Sequence, residues 1–157
     1  MMEPRTLARA GIASLIPHQG PMCLLARLDA WSEQHIACIA TNHRDAAHPL
    51  RTRRGLLATA AIEYAAQAMA LHGALVGRAH GTPPAPGVLA SARGVQLNVL
   101  RLDDLPLPER APDELRIEAT RRAGDARQIL YAFTLHHGER LLAAGRAAVV
   151  LNAALAA

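Results

Sequence analysis

"GLLATAAIEYAAQAMALHGALVG", residues 55 to 77, is the stretch that decides the architecture. Its alanines, leucines and methionine favour helix, and no proline interrupts it. Apolar side chains run nearly all the way round, which marks a helix enclosed by other elements. "HGTPPAPG", residues 80 to 87, follows with the glycines and prolines that stop helices. The run is not a membrane span. It carries Glu63, Gln67 and His72, and its many alanines insert weakly. A charged residue at mid-bilayer costs about 2.5–3.5 kcal/mol on insertion scales.

Working outward, "MCLLARLDAW" (22–31) is apolar and follows Gly-Pro, so it reads as a strand, and "HIACIATN" (35–42) as its partner. "HRDAAHPLRTRRG" (43–55) is a polar, Arg-rich connection into the helix. Beyond the helix come "VLASARGVQLNVL" (88–100), a Pro-rich loop, then "LRIEATRRAG" (115–124), "ARQILYAFTLHHG" (126–138) and "ERLLAAGRAAVVL" (139–151). Short Gly-containing breaks separate the last three as hairpins. Two strands, one long helix and about four strands make an α+β pattern: an antiparallel sheet around a single apolar helix, as one domain over residues 1–157. Exposed sheet edges in such a design favour pairing into a dimer.

Composition narrows the function. The chain has a formal net charge of +4, and all 17 basic residues are arginine. A basic balance suits an acidic partner. Nucleic acid is disfavoured, because one Trp, two Tyr and one Phe leave no interleaving of basic and aromatic residues. Cys23 and Cys38 form no metal-type or redox motif, so no metal is expected and both read as buried thiols. The N-terminus has no signal-peptide pattern, and the expectation is a cytoplasmic chain.

Glu63 is the most informative residue. A carboxyl in an apolar helix is costly unless paired or neutral, and desolvation raises its pKa, which suits a general acid. His18, in the turn Pro17-His18-Gln19-Gly20-Pro21, is weak alone, because turn histidines are usually solvated. Together the two make a candidate base and acid. His48 precedes the helix and is a candidate lining residue. His72 reads as a helix-end residue, and His136 and His137 as exposed beside a hairpin turn. No Gly-x-Ser-x-Gly elbow and no phosphate loop occur. Proton-shuttling chemistry without metal or cofactor remains.

These residues carry a resemblance. "IPHQGPMCLLARL" (16–28) resembles the "LPHRxPFLLVDR" stretch of the hotdog-fold 3-hydroxyacyl-carrier-protein dehydratases. "HPLRTRRGLLATAAIEYAAQAMALHG" (48–73) is similar to their "HFPG…PGVLIIEAMAQ" helix, and residues 131–151 to their last two strands. The nearest subgroup is the variant dehydratases of aryl-polyene and xanthomonadin-type pigment clusters. The resemblance implies a hotdog fold, a homodimer or heterodimer, and a substrate held on the phosphopantetheine arm of an acyl carrier protein, with no other cofactor. It places the catalytic base on His18 and the acid on Glu63, facing one another across a protomer boundary. Gln67 would orient the carboxyl and contact substrate together with Gly55, Ala58, Thr59 and His48. Amides at residues 56 to 59 would receive the thioester oxygen, and Arg51, Arg53 and Arg54 would dock the carrier. The chain departs from the family where Pro-Gly before the helix becomes Leu57-Ala58 and where a strand Asp becomes Ala26. The reaction implied is dehydration to a trans-2-enoyl thioester, in fatty-acid-like or pigment synthesis. Two alternatives stay open: a hotdog thioesterase using Glu63 to activate water, and a non-catalytic subunit of a heterodimer.

Overall fold

The computed structural model describes residues 6–81 and 87–151, so the middle of the expected stop loop lies outside the described residues. The elements are β1 (Leu7–Ala8), α1 (Arg9–Ala13), β2 (Arg27–Trp31), β3 (His35–Ala40), α2 (Ala60–Ala79), β4 (Gly87–Leu97), β5 (Leu115–Gly124), β6 (Gln128–His137) and β7 (Arg140–Leu151). Seven strands form one antiparallel sheet in the order β1-β2-β3-β5-β6-β7-β4. The long helix α2 packs against β3, β5, β6 and β4. This is the α+β hotdog arrangement expected, with a short β1 and α1 added at the start.

Period-2 side-chain alternation sets the register. Leu115, Ile117 and Ala119 of β5 and Tyr131, Phe133 and Leu135 of β6 point inward to one core with Leu71 and Leu75 of α2. They pair as Ile117↔Leu135 and Ala119↔Phe133. Cys23 and Cys38 are both free and buried, and burial above all pushes the Cys38 thiol up to about 12. No described helix is long and apolar enough to cross a membrane.

Three expectations are corrected. The helix starts at Ala60, not near residue 55, because residues 52–58 are occupied elsewhere: Thr52 and Gly55 close a turn, and Leu57 bridges to Arg101. Nor is it buried all round. Glu63, Ala66, Ala70 and Gly73 form a half-exposed stripe between buried faces. The first strand covers residues 27–31 instead of 22–31. Cys23, Leu24 and Leu25 are still buried, but the Gln67 side chain takes the place of a neighbouring strand there.

His72 lies well inside the helix, only 1% exposed, so it is not an end residue. Its Nε2–H donates to the Ser32 carbonyl at 2.8 Å, leaving Nδ1 to accept from the Tyr131 hydroxyl at 2.8 Å. Burial holds its pKa below the usual value, and likewise those of His43 and His48. A depressed histidine is neutral when folded and takes up a proton on unfolding. Its contribution is complete above the unfolded value near 6.5 and is lost as pH falls through the folded value. Melting temperature should therefore fall between pH 7 and pH 5, each such proton steepening stability by up to about 1.4 kcal/mol per pH unit. His72→Gln should flatten that slope in thermal melts; an unchanged slope would contradict the assignment to His72.

Candidate active site

His18 is presented by a turn whose shape is fixed from both ends. The Gln19 side-chain amide donates to the carbonyls of Ala13 at 2.7 Å and Ile16 at 3.2 Å. Arg9 donates to the Gly20 carbonyl at 3.0 Å, and Gly20 takes a φ of 57°, which a side chain would resist. Glu63 stands in the first turn of α2, with its side chain 35% exposed in the single chain, so the full burial expected of it is absent. His18 Nε2 and Glu63 Oε1 are 3.3 Å apart. The pair forms within one polypeptide, which corrects the expectation that each protomer supplies one partner. Among the described residues, His18 Nδ1 is buried without a hydrogen-bond partner, so Nε2 is the nitrogen open to chemistry.

Gln67 locks the pair together. Its carbonyl oxygen accepts from the Leu24 amide at 2.8 Å; its amide donates to the Met22 carbonyl at 2.7 Å and to Glu63 Oε1 at 3.3 Å. It is fully buried. Gln67 thus ties the segment after His18 to the helix carrying Glu63, and its contacts are with the protein framework.

Beside Glu63 opens a cleft of about 280 Å³ lined by Leu50, Thr52, Leu57, Thr59, Ala60 and Glu63. Thr59 is exposed to it. Ala58 is 3% exposed, and its amide donates to the Leu100 carbonyl at 3.0 Å, so that amide is not available to a ligand. Gly55 is buried, with a φ of 97°; a Cβ there would lie 2.5 Å from Asp103 Oδ2 and 2.6 Å from an Arg101 nitrogen. Its missing side chain makes room for that ion pair, not for substrate. His48 is likewise internal. Leu50 N–H donates to its Nδ1 at 3.0 Å, so Nε2 carries the proton and donates to the Tyr64 hydroxyl at 2.9 Å. Tyr64 in turn donates to Asn42 at 2.6 Å. Of the three arginines, Arg51 is paired with Asp103 at 3.0 Å, while Arg53 and Arg54 are exposed.

Sequence reasoning passed over a second polar cluster. Asp113 Oδ1 receives His43 Nε2 at 2.9 Å and His137 Nε2 at 2.8 Å, and Arg44 Nε reaches Oδ2 at 2.8 Å. His137 is buried, against the expectation of exposure. The guanidinium foremost, with both imidazoles, holds the Asp113 carboxyl well below the usual range. His43, Asp113 and His137 bring ligand-type atoms within 4.8 Å of one another. A cation fits poorly all the same. Arg44 bonds both carboxylate oxygens. Among the described residues, His43 Nδ1 is buried with no acceptor, whereas a ligating imidazole normally hands its other N–H to one. The cluster is a hydrogen-bonded knot joining the loop after β3 to the approach to β5 and the end of β6. Its only sequence signal was scattered: a His-Arg pair, a lone Asp and a hairpin His.

A family described as ApeP-like, ApeP dehydratase, matches residues 10–157. No curated protein sequence matches. Among solved structures, the chain is similar to one in the dehydratase heterocomplex ApeI:P from Xenorhabdus doucetiae, with a TM-score of 0.76 and 22% identity over 89% of this chain and 90% of that one. A thioesterase family protein from Silicibacter pomeroyi has a TM-score of 0.62 at 14% identity, covering 89% of this chain and 94% of that one. A hypothetical thioesterase with coenzyme A from Streptococcus pneumoniae gives 0.53 at 11% identity, over 79% and 83%. At these identities the structural likenesses establish a shared fold.

Proposed function

This chain belongs to the ApeP-like dehydratase family, and from that premise we propose that it removes water from a 3-hydroxyacyl thioester on an acyl carrier protein, giving the trans-2-enoyl thioester. The observation that carries this reading is the 3.3 Å approach of His18 Nε2 to Glu63 Oε1 at the edge of an apolar cleft. A 3-hydroxyacyl chain presents an α-proton and a β-hydroxyl on adjacent carbons, and two groups this close can serve both. His18 Nε2 takes the α-proton. Electrons move to form the C2–C3 double bond, the C3–O bond breaks, and Glu63 gives its proton to the departing hydroxyl, so water leaves. Proton transfer from His18 to Glu63 across the same contact resets the pair. Thr59, exposed in the cleft at the helix start, offers its amide and hydroxyl to the thioester oxygen, where the helix dipole also favours developing negative charge. The pantetheine arm of the carrier is the only cofactor this chemistry needs. The acyl chain is of fatty-acid or aryl-polyene type, and a second hotdog subunit, a copy or a relative, pairs with this one.

A thioesterase would need a carboxylate to activate water, but it has no use for an imidazole at that carboxylate's oxygen; the His18 contact favours elimination. The test is to incubate the protein, alone and with a second hotdog subunit, with 3-hydroxyacyl carrier protein. Loss of one water with enoyl absorbance supports the proposal. Release of free thiol, or no reaction in either assembly, sinks it.

Carrier proteins are acidic, and Arg53 and Arg54 are exposed beside the cleft-lining Thr52, whereas Arg51 is held by Asp103. Reversing both charges, Arg53→Glu with Arg54→Glu, should raise the KM for carrier-bound substrate by about tenfold or more, the scale of a few screened charge contacts. A small pantetheine thioester should be turned over as before. Equal loss on both substrates would remove these arginines from carrier docking.

A further inference from the structure

The cleft beside Glu63 is walled by an irregular segment, although Leu56 and Ala58 within it are buried. Residues 50–59 form no long element: a turn closed between Thr52 and Gly55, then three residues bridged to residues 100–102 through Ala58 N to Leu100 O at 3.0 Å and Leu102 N to Leu56 O at 2.8 Å. Asp103 follows directly. Its side chain is only 3% exposed, yet it is charged and fully engaged. Arg101 grips it with two nitrogens, at 2.9 and 3.0 Å, and Arg51 adds a third contact at 3.0 Å. Gly55 passes over the Asp103–Arg101 pair too closely to carry a side chain. A buried carboxylate with donors from residues 51 and 101 is costly to disrupt, because each donor would be left without its acceptor.

We propose that Asp103 is a positioning residue, the anchor that holds the turn at residues 52–55 and the strand-like residues 56–58 at the height that shapes the cleft next to Glu63. It touches neither His18 nor Glu63. It acts on Leu50, Thr52 and Leu57, which neighbour the residues it binds and line the cleft. The assignment of these walls to an acyl thioester rests on the function proposed above. An anchor of this kind governs binding of the substrate and spares the proton transfers. A displacement of the wall by about 1 Å is enough for effects of about tenfold or more.

The experiment uses Asp103→Asn, which keeps the shape and removes the charge, and Gly55→Ala, which presses a methyl into the same ion pair. Both are prepared in the assembly in which the wild type works. Expected for each is a rise in KM of about tenfold with kcat within about twofold. Affinity for an unreactive 3-hydroxyacyl amide of pantetheine should fall by a like factor, and amide hydrogen exchange should quicken at residues 52–58 but not in β5 or β6. The double variant should be no worse than the more severe single one, because both act on one anchor. A merely structural loss would reduce the active fraction, lowering kcat at constant KM, and would overturn the proposal. So would unaltered exchange at residues 52–58, or effects that multiply. A wild type that binds the amide but dehydrates nothing, with affinity still lost in Asp103→Asn, would refute the dehydratase reading and leave the anchor standing. A wild type that binds no amide overturns both.

Discussion

His18→Ala should lower enoyl formation by about 10²–10⁴-fold, the usual contribution of a positioned acid or base, with a melting temperature close to that of the wild type. The imidazole is partly exposed, and among the described residues its one polar contact is to Glu63 at 3.3 Å, so its loss opens no core cavity and strands no buried partner. Glu63→Gln should cost a comparable factor, and the double variant little more, since the two groups act on one substrate as a unit. The assay follows enoyl absorbance from 3-hydroxyacyl carrier protein in the working assembly. It also decides where the chemistry sits. If His18→Ala is neutral in a mixed complex that turns over normally, the reaction belongs to the other subunit and this chain contributes its fold.

Gln67→Leu should damage stability and activity together. The leucine matches glutamine in bulk but offers no acceptor to the buried Leu24 amide and no donor to the Met22 carbonyl or to Glu63. A buried group left unpaired costs about 1–3 kcal/mol, and in a chain of this size each kcal/mol moves the melting temperature by about 2–4 °C. A fall of roughly 2–12 °C is expected from Leu24 alone. Because residues 22–24 continue from the turn that presents His18, turnover should fall further than the folded fraction does. Thermal melts beside kcat measurements at a temperature where the variant stays folded separate the two. A variant that melts early but keeps the wild-type kcat would show that Gln67 holds the fold and leaves the His18–Glu63 geometry untouched.

Much of the fold was legible because its signals are local. The alternation in residues 115–124 gave β5 at both ends, and the strands after it were placed within two residues, since a period-2 pattern on a half-buried sheet needs no knowledge of distant partners. Boundaries failed where distant groups intervened. The helix was read five residues too early because Leu56 and Leu57, helix formers by composition, are held by residues 100–102. The strand at 22–31 was read too long because Gln67, more than forty residues on, satisfies its first residues.

For the site, the sequence by itself determined the types of group: an imidazole in a proline-flanked turn, a carboxyl on an apolar helix and an amide one helical turn beyond it. Their spacing along a helix is a property of the chain alone. What only the tertiary structure decided is who faces whom. His18 and Glu63 meet within one protomer, Arg51 is held by Asp103, and Gly55 is small for the sake of an ion pair. His48 and His137 turn inward to Tyr64 and Asp113. Each of these is a contact between residues whose separation in the chain carries no period, and a buried polar group takes whichever partner the packed core brings within reach.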